Sequence, residues 1–146
     1  MDRYAAGVVH GMGDLAEEVL AAANTIAVVG LSRDPAKAAH GVPAALQAYG
    51  FRIIPVHPVA DELLGEKVYR SLSDIPEPVD VVDVFRPAPE AAGIAEQAVA
   101  IGAKALWLQQ GIVSPEARAI AEGAGLDYVE DRCMAVVRAV AGISKN

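Results

Sequence analysis

Thr25-Ile-Ala-Val-Val-Gly-Leu-Ser-Arg33 is the stretch on which the fold turns. Thr25 to Val29 carries no charge and does not alternate with polar positions, which suits a strand buried on both faces. Gly30 ends the run, and Leu31 to His40 is polar, small and broken by Pro35, the pattern of a strand-to-helix loop. A doubly buried strand feeding such a loop is how a parallel α/β sheet begins.

Outward from this strand the same alternation continues. Upstream, Asp14 with Glu17 reads as a capping box, and Met12, Leu15, Ala16, Val19, Leu20 and Ala23 mark one face of a helix over about residues 14–23. Downstream, a helix is predicted over Val42 to Tyr49, with Pro43 in its first turn and Gly50 just past its end. Phe51 to Val56 is the second strand, closed by His57-Pro58. Pro55, lacking a donor, belongs at its terminus or outside the ladder. Val68-Tyr69 reads as a very short strand before the turn-rich Ser71 to Pro78. Val79 to Phe85 is a firm strand, followed by a helix from about Pro87 to Ile101 and a strand from Lys104 to Leu108. Ser114-Pro115-Glu116 starts a helix that stops near Gly123-Ala-Gly125. Leu126 to Glu130 is the last strand, and Asp131 is the expected cap of a final helix carrying Met134 and Val137. The expectation is a predominantly parallel sheet covered on both faces, in the order 3-2-1-4-5-6. Its ligand crevice then lies between the strand ending at Gly30 and the one ending at Phe85.

Composition fits this reading. At 146 residues the chain is about one domain, residues 1–146, and is long enough to bury a core without disulfides or metals. Hydrophobic residues make up 53% and aromatics 5%, so the apolar content is mostly small, as short buried strands and closely packed helices require. Cys133 is the sole cysteine, which excludes an internal disulfide and points to a reducing cytoplasm. No apolar run approaches the roughly 18 residues of a spanning helix, and Asp2, Arg3 and His10 stand where a signal peptide would be basic then apolar. A formal net charge of -7 without a compensating basic cluster excludes nucleic acid as an expected partner. A small anion held by backbone amides and one or two local cations remains compatible with it.

Candidate site residues cluster at the expected crevice. Gly30 would allow close approach to the backbone, Ser32 supplies a hydroxyl, and Arg33 or Lys37 could pair with phosphate oxygens. An ordinary loop with solvated charges is the alternative. The segment is not a GxGxxG fingerprint, and Val56-His57-Pro58 stands where an NAD site usually has a ribose-binding carboxylate. A free histidine titrates near neutrality, but neither a nucleophile elbow nor an orienting carboxylate accompanies His57 in the sequence, which favours a packed or ligand-lining role. Arg86 either meets an anion or pairs with Asp83 or another carboxylate. The amides of Gln109-Gln110 are candidates to read a polar group, Trp107 belongs to the core, and Cys133 is expected buried and inert. His10, His40 and Cys133 lack metal-site spacing, so no metal is expected.

Taken in order, Val-Val-Gly30-Leu-Ser32, Gly41-Val42, Ile54-Pro-Val-His57-Pro58, Leu64-Gly65, Asp80-Val-Val-Asp83-Val-Phe85-Arg86-Pro87, Trp107-Leu-Gln109-Gln-Gly111 and Asp131-Arg132-Cys133-Met134 resemble the stand-alone CoA-binding domain proteins. These are similar to the nucleotide-binding domain of the succinyl-CoA synthetase α subunit, and the resemblance spans about residues 14–141. It implies a three-layer, Rossmann-like domain. Coenzyme A or acyl-CoA would be contacted by Gly30, Leu31 and Ser32, by Arg33 and Lys37, by Val56, His57 and Pro58, and across the crevice by Phe85 and Arg86. Three positions depart from the pattern. His57 stands where the family usually has Asn, Ala39-His40 where it has Ser-Tyr, and Ala60-Asp61-Glu62 where the synthetase has a lysine. The implied function is binding by a non-catalytic or accessory protein, monomeric or homodimeric. An NAD(H)-binding redox or regulatory protein and an accessory component of an acyl-CoA ligase are the alternatives.

Overall fold

A computed structural model describes residues 14–146. The predicted Met12 position and His10 lie outside the described residues. The chain runs α1 (Leu15–Ala22), β1 (Thr25–Val29), α2 (Ala38–Ala48), β2 (Arg52–Val56), β3 (Glu62–Leu63), β4 (Glu66–Lys67), a 3-10 turn (Leu72–Asp74), β5 (Val81–Val84), α3 (Ala88–Ala100), β6 (Ala105–Leu108), α4 (Pro115–Gly123), β7 (Asp127–Val129) and α5 (Met134–Ala141).

Five strands form one parallel sheet in the order β2-β1-β5-β6-β7. Strand 3 of the expected 3-2-1-4-5-6 order, Val68-Tyr69, is reduced to one parallel bridge, Val56 to Tyr69, outside β2. Pro55 explains why it extends no further. Its carbonyl accepts from the Tyr69 amide (3.0 Å), so its nitrogen faces the same outer edge and offers no hydrogen to a longer partner. Pro55 thus lies inside β2, but on the side where its missing donor disturbs no central ladder.

One layer of helices, α1, α2 and α5, buries Val19, Leu20, Leu46, Met134 and Val137 with Ile26, Val28, Val81 and Trp107 of the sheet. The other, α3 and α4, buries Ala91, Ile94, Ala98, Ala117 and Ala121 with Ala27, Val82, Leu106 and Leu108. Successive strand residues alternate between these two clusters, as a period of two requires, and both faces are apolar because both are covered. The alanines of α3 and α4 let those helices pack closely on the sheet and on each other.

Local signals set most boundaries. Asp14 accepts from the Glu17 amide (3.2 Å) and caps α1, and Ser114 accepts from the Ala117 amide (3.1 Å) and caps α4, with Pro115 following at the first helical position. Two boundaries differ from expectation. α2 begins a turn before Val42 and carries Pro43 in its interior. The carbonyl that Pro43 cannot engage, Ala39 O, accepts instead from the Ser32 amide at 3.0 Å, so the loop after β1 completes the helix. Asp131 is not the cap of α5. It adopts φ 57° and accepts from the Gly111 amide (2.7 Å), while the Met134 amide at the head of α5 donates to Gln109 Oε1 at 3.3 Å. The β3–β4 hairpin, turned by Leu64 and Gly65 at φ 54° and 75°, has two residues per strand, too few for a periodic signal.

Candidate functional site

The carboxyl ends of β1, β2 and β5 open into a crevice of about 590 Å³. β1 sits between β2 and β5, so the strand order reverses there, and such a reversal leaves room above the sheet for a ligand. The crevice is lined by Gly30, Leu31, Ser32, Lys37, Val56, His57, Pro58, Phe85 and Arg86, nine of the ten residues expected to form it. Arg33 is exposed in the same loop and does not line it.

The β1–α2 loop differs from expectation in which amides it leaves open. Gly30 donates to Val56 O (3.2 Å) and Ser32 to Ala39 O (3.0 Å), so neither backbone N–H is available to an anion. Among the described residues, the amides of Leu31, Arg33 and the first turn of α2, Ala38 and Ala39, have no acceptor in this region. Ser32 Oγ accepts from the Asp34 amide (3.0 Å) and keeps its own proton to donate. His40 Nδ1 meets Ser32 O at 2.7 Å and fastens the loop to α2. Gly30, at φ 91°, leaves its missing Cβ position to the Arg86 stem, whose Cδ would stand 2.8 Å away. This glycine therefore admits a neighbouring side chain rather than a ligand.

Arg86 crosses the floor to Glu90, with Nε–Oε1 at 3.1 Å and Nη2–Oε2 at 2.8 Å. Its carboxylate partner is thus Glu90, one helical turn along α3, and not Asp83. Arg86 hydrogen-bonds Glu90 and holds its carboxyl below the usual range, so the pair is ionised at neutral pH. Glu90, Ile94 and Gln97 share the crevice-facing side of α3 at helical spacing. On the opposite rim, Arg70 binds the carbonyls of His57 (3.2 Å), Val59 (3.3 Å) and Ala60, and the Asp61 carboxylate (2.7 Å). Sequence reasoning missed Arg70 and Ser71, although the rule that places ligands at strand carboxyl ends applies to the short Val68-Tyr69 strand as well. Glu90 was findable as the residue four beyond Arg86.

His57 is seated at the end of β2. Its Nδ1 accepts from the amides of Val59 (3.1 Å) and Ala60 (2.9 Å). Burial, and then the charges of Arg33, Arg70 and Arg86, push its pKa below the ordinary imidazole value. A ring engaged in this way is not oriented by a carboxylate for base catalysis.

Beneath Phe85, Asp83 is fully enclosed. Its Oδ1 accepts from Gln109 Nε2 at 2.7 Å, its Oδ2 has no partner, and burial pushes its pKa up to about 7. Gln109, with its amide oxygen on Met134 N and its nitrogen on Asp83, is committed to the interior and is not a ligand reader. Trp107 is core, its Nε1 donating to Arg132 O at 2.8 Å. Cys133 is half-buried at the head of α5, more accessible than expected. Among the described residues no group of three or more His, Cys, Asp and Glu side chains could hold a metal ion, and no helix is long and apolar enough to cross a membrane.

Residues 24–139 match the family model described as CoA binding domain. The chain is 41% identical over 124 residues to the uncharacterized protein YneT of Bacillus subtilis, covering 85% of this chain and 92% of that one. It superposes on a hypothetical protein from Pyrococcus horikoshii with a TM-score of 0.84 and 36% identity, covering 88% and 90% of the two chains. A shorter match, 39% identical over 66 residues, is to an ADP-forming acetate–CoA ligase of Archaeoglobus fulgidus; it takes in 44% of this chain and 10% of the ligase.

Proposed function

The chain belongs to the CoA-binding domain family, and from that premise we propose that it binds coenzyme A or acyl-CoA in the crevice above β1, β2 and β5. The observation that carries this reading is a crevice lined by Lys37, Arg70 and Arg86 in a chain whose formal net charge is -7. Three cations face the crevice where the fold offers open amides, and that combination suits the phosphates of a nucleotide.

The diphosphate lies over the Leu31 amide and the first turn of α2, reached by the Ser32 hydroxyl and Lys37. The adenosine end packs on Pro58 and Val56, beside His57 and Arg70. Phe85 and Ile94 line the way for the pantetheine arm, and Arg86 is the cation that trades Glu90 for a ligand oxygen. Arg33 contributes through its field and makes no direct contact. Relative to NAD(H), the end of β2 is wrong in sign, since it presents a histidine and an arginine where a ribose-binding carboxylate would stand. The role is binding in the cytoplasm without catalysis by this chain alone. The stretch shared with the acetate–CoA ligase favours, as a second reading, service to a separate acyl-activating partner, which co-purification would reveal.

Calorimetric titration with coenzyme A, acetyl-CoA and NAD(H) tests the first reading. Saturable heat is expected with coenzyme A or acetyl-CoA, displaced poorly by NAD(H). A folded protein that takes up neither at millimolar ligand, or prefers NAD(H), defeats it.

A further inference from the structure

His57 is held by an arrangement that dictates where its proton sits. Nδ1 accepts from two successive backbone amides, Val59 at 3.1 Å and Ala60 at 2.9 Å. A nitrogen that accepts carries no hydrogen, so the neutral ring keeps its proton on Nε2. Those amides belong to the turn that follows β2 and bears Pro58, so the ring is the peg on which one wall of the crevice hangs. Charged groups reach it from three further segments. Arg70 follows the Tyr69 bridge and binds the His57 carbonyl and Asp61; Arg33 stands in the β1–α2 loop near Asp34; Arg86 enters from the β5–α3 loop with Glu90 attached. Lys37 stands across the crevice.

We propose that His57 is a proton-sensitive positioning residue: neutral, it braces the His57–Ala60 turn and offers Nε2–H to an oxygen of the bound nucleotide, and on taking up a proton at Nδ1 it releases the turn and weakens ligand binding. The proposal rests on the coenzyme A reading of the crevice. It runs against simple electrostatics, because an imidazolium would add one more positive charge beside a polyanion. The geometry decides the sign. Protonation turns the acceptor of two amides into a donor facing them, while the gained charge stands in the field of the Arg33, Arg70 and Arg86 guanidinium groups. Asparagine at this position would keep the same geometry without the titration. An Asn Oδ1 can accept the same pair of amides and its Nδ2 can donate to the ligand, with no group that titrates.

The test is coenzyme A affinity from pH 5 to 8.5 for the wild type and His57→Asn. Each protein's affinity is taken relative to its own value at pH 8. Below the His57 midpoint the wild type should lose about tenfold in affinity per pH unit relative to the variant, the slope for one linked proton. The ligand's own phosphate, whose second proton binds near pH ~6, affects both proteins alike. Parallel curves, or a wild type that gains affinity in acid, overturn the proposal. Nitrogen NMR of the ring in ligand-free protein is the independent arm: an Nε2–H tautomer is expected, and an Nδ1–H tautomer overturns it. If neither protein binds coenzyme A at pH 8, it is the coenzyme A reading that falls, and the ring's tautomer and the pH dependence of Val59 and Ala60 amide exchange then decide the proton-linked turn.

Discussion

Asp83 is the one acidic or basic side chain among the described residues that the fold encloses completely, and its charge state is set by what it lacks. Neutral donors, Gln109 Nε2 and the Val84 amide, do not repay the loss of water around a carboxylate, so the proton stays on up to about pH 7. The folded pKa exceeds the unfolded one. Folding therefore takes up a proton between about pH 4 and 7, and the stabilisation is complete below that window and lost above it. Wild-type stability, measured by urea unfolding, should fall relative to Asp83→Asn by up to about 1.4 kcal/mol per pH unit across this range. Equal pH profiles for the two proteins would show that Asp83 is ionised in the fold. Nothing in Asp80-Val-Val-Asp83 announces this, because a strand aspartate facing solvent and one enclosed by helices look the same in sequence. Glu90 makes the opposite case, being exposed, ionised and paired with the cation expected to meet a phosphate. Glu90→Gln frees Arg86 and removes a negative charge from the crevice. Coenzyme A affinity should rise by about two- to fivefold, the modest scale of an exposed ion pair, and a loss of affinity would place Glu90 among the ligand's own contacts.

At the scale of elements, α2 shows where sequence reasoning stops. Pro43 is a first-turn residue by rule, and the rule rests on the carbonyl four residues back going unsatisfied. Here that carbonyl, Ala39 O, is taken by the Ser32 amide, a tertiary bond between loop and helix that no local pattern encodes. The strands and the capped helices were legible because their signals are local: apolar runs, an Asp or Ser at the cap, a Pro at the first position. The β3–β4 hairpin was not, for want of length, and the outermost strand was read at Val68-Tyr69 but not its reduction to a single bridge, which ends at Pro55. Removing a proline from a helix interior ordinarily stabilises by up to about 3 kcal/mol. Pro43→Ala should give less than about 1 kcal/mol in either direction, since its new amide finds Ala39 O already engaged and the unfolded chain gains freedom. A stabilisation of 2 kcal/mol or more in urea unfolding would mean the Ser32 bond contributes little.

For the whole molecule, the crevice was legible from topology and its contents only in part. Strand order alone places a crevice above β1 and β5, and nine of the ten expected residues line it, yet the open amides are those of Leu31, Arg33, Ala38 and Ala39 and not those of Gly30 and Ser32. Which amide of a loop is free depends on bonds made across the fold. The charge balance has the same character. A chain of net charge -7 repels a polyanion at long range, while Lys37, Arg70 and Arg86 attract it within the ~8 Å over which charges act at physiological salt. Binding should then register as stability, because the crevice is assembled from the ends of three strands and the starts of two helices and exists only in the folded chain. A ligand at about 100 times its dissociation constant adds about 2.7 kcal/mol. For a domain of this size that is a rise in Tm of about 5–10 °C. Coenzyme A should produce it and NAD(H) at the same concentration should not. The rise should shrink when Lys37 and Arg70 are both replaced by Met, with the ligand-free Tm of that variant as the baseline. An undiminished rise in the double variant would mean that the local cations do not hold the phosphates, and that backbone amides alone overcome the repulsion of the chain.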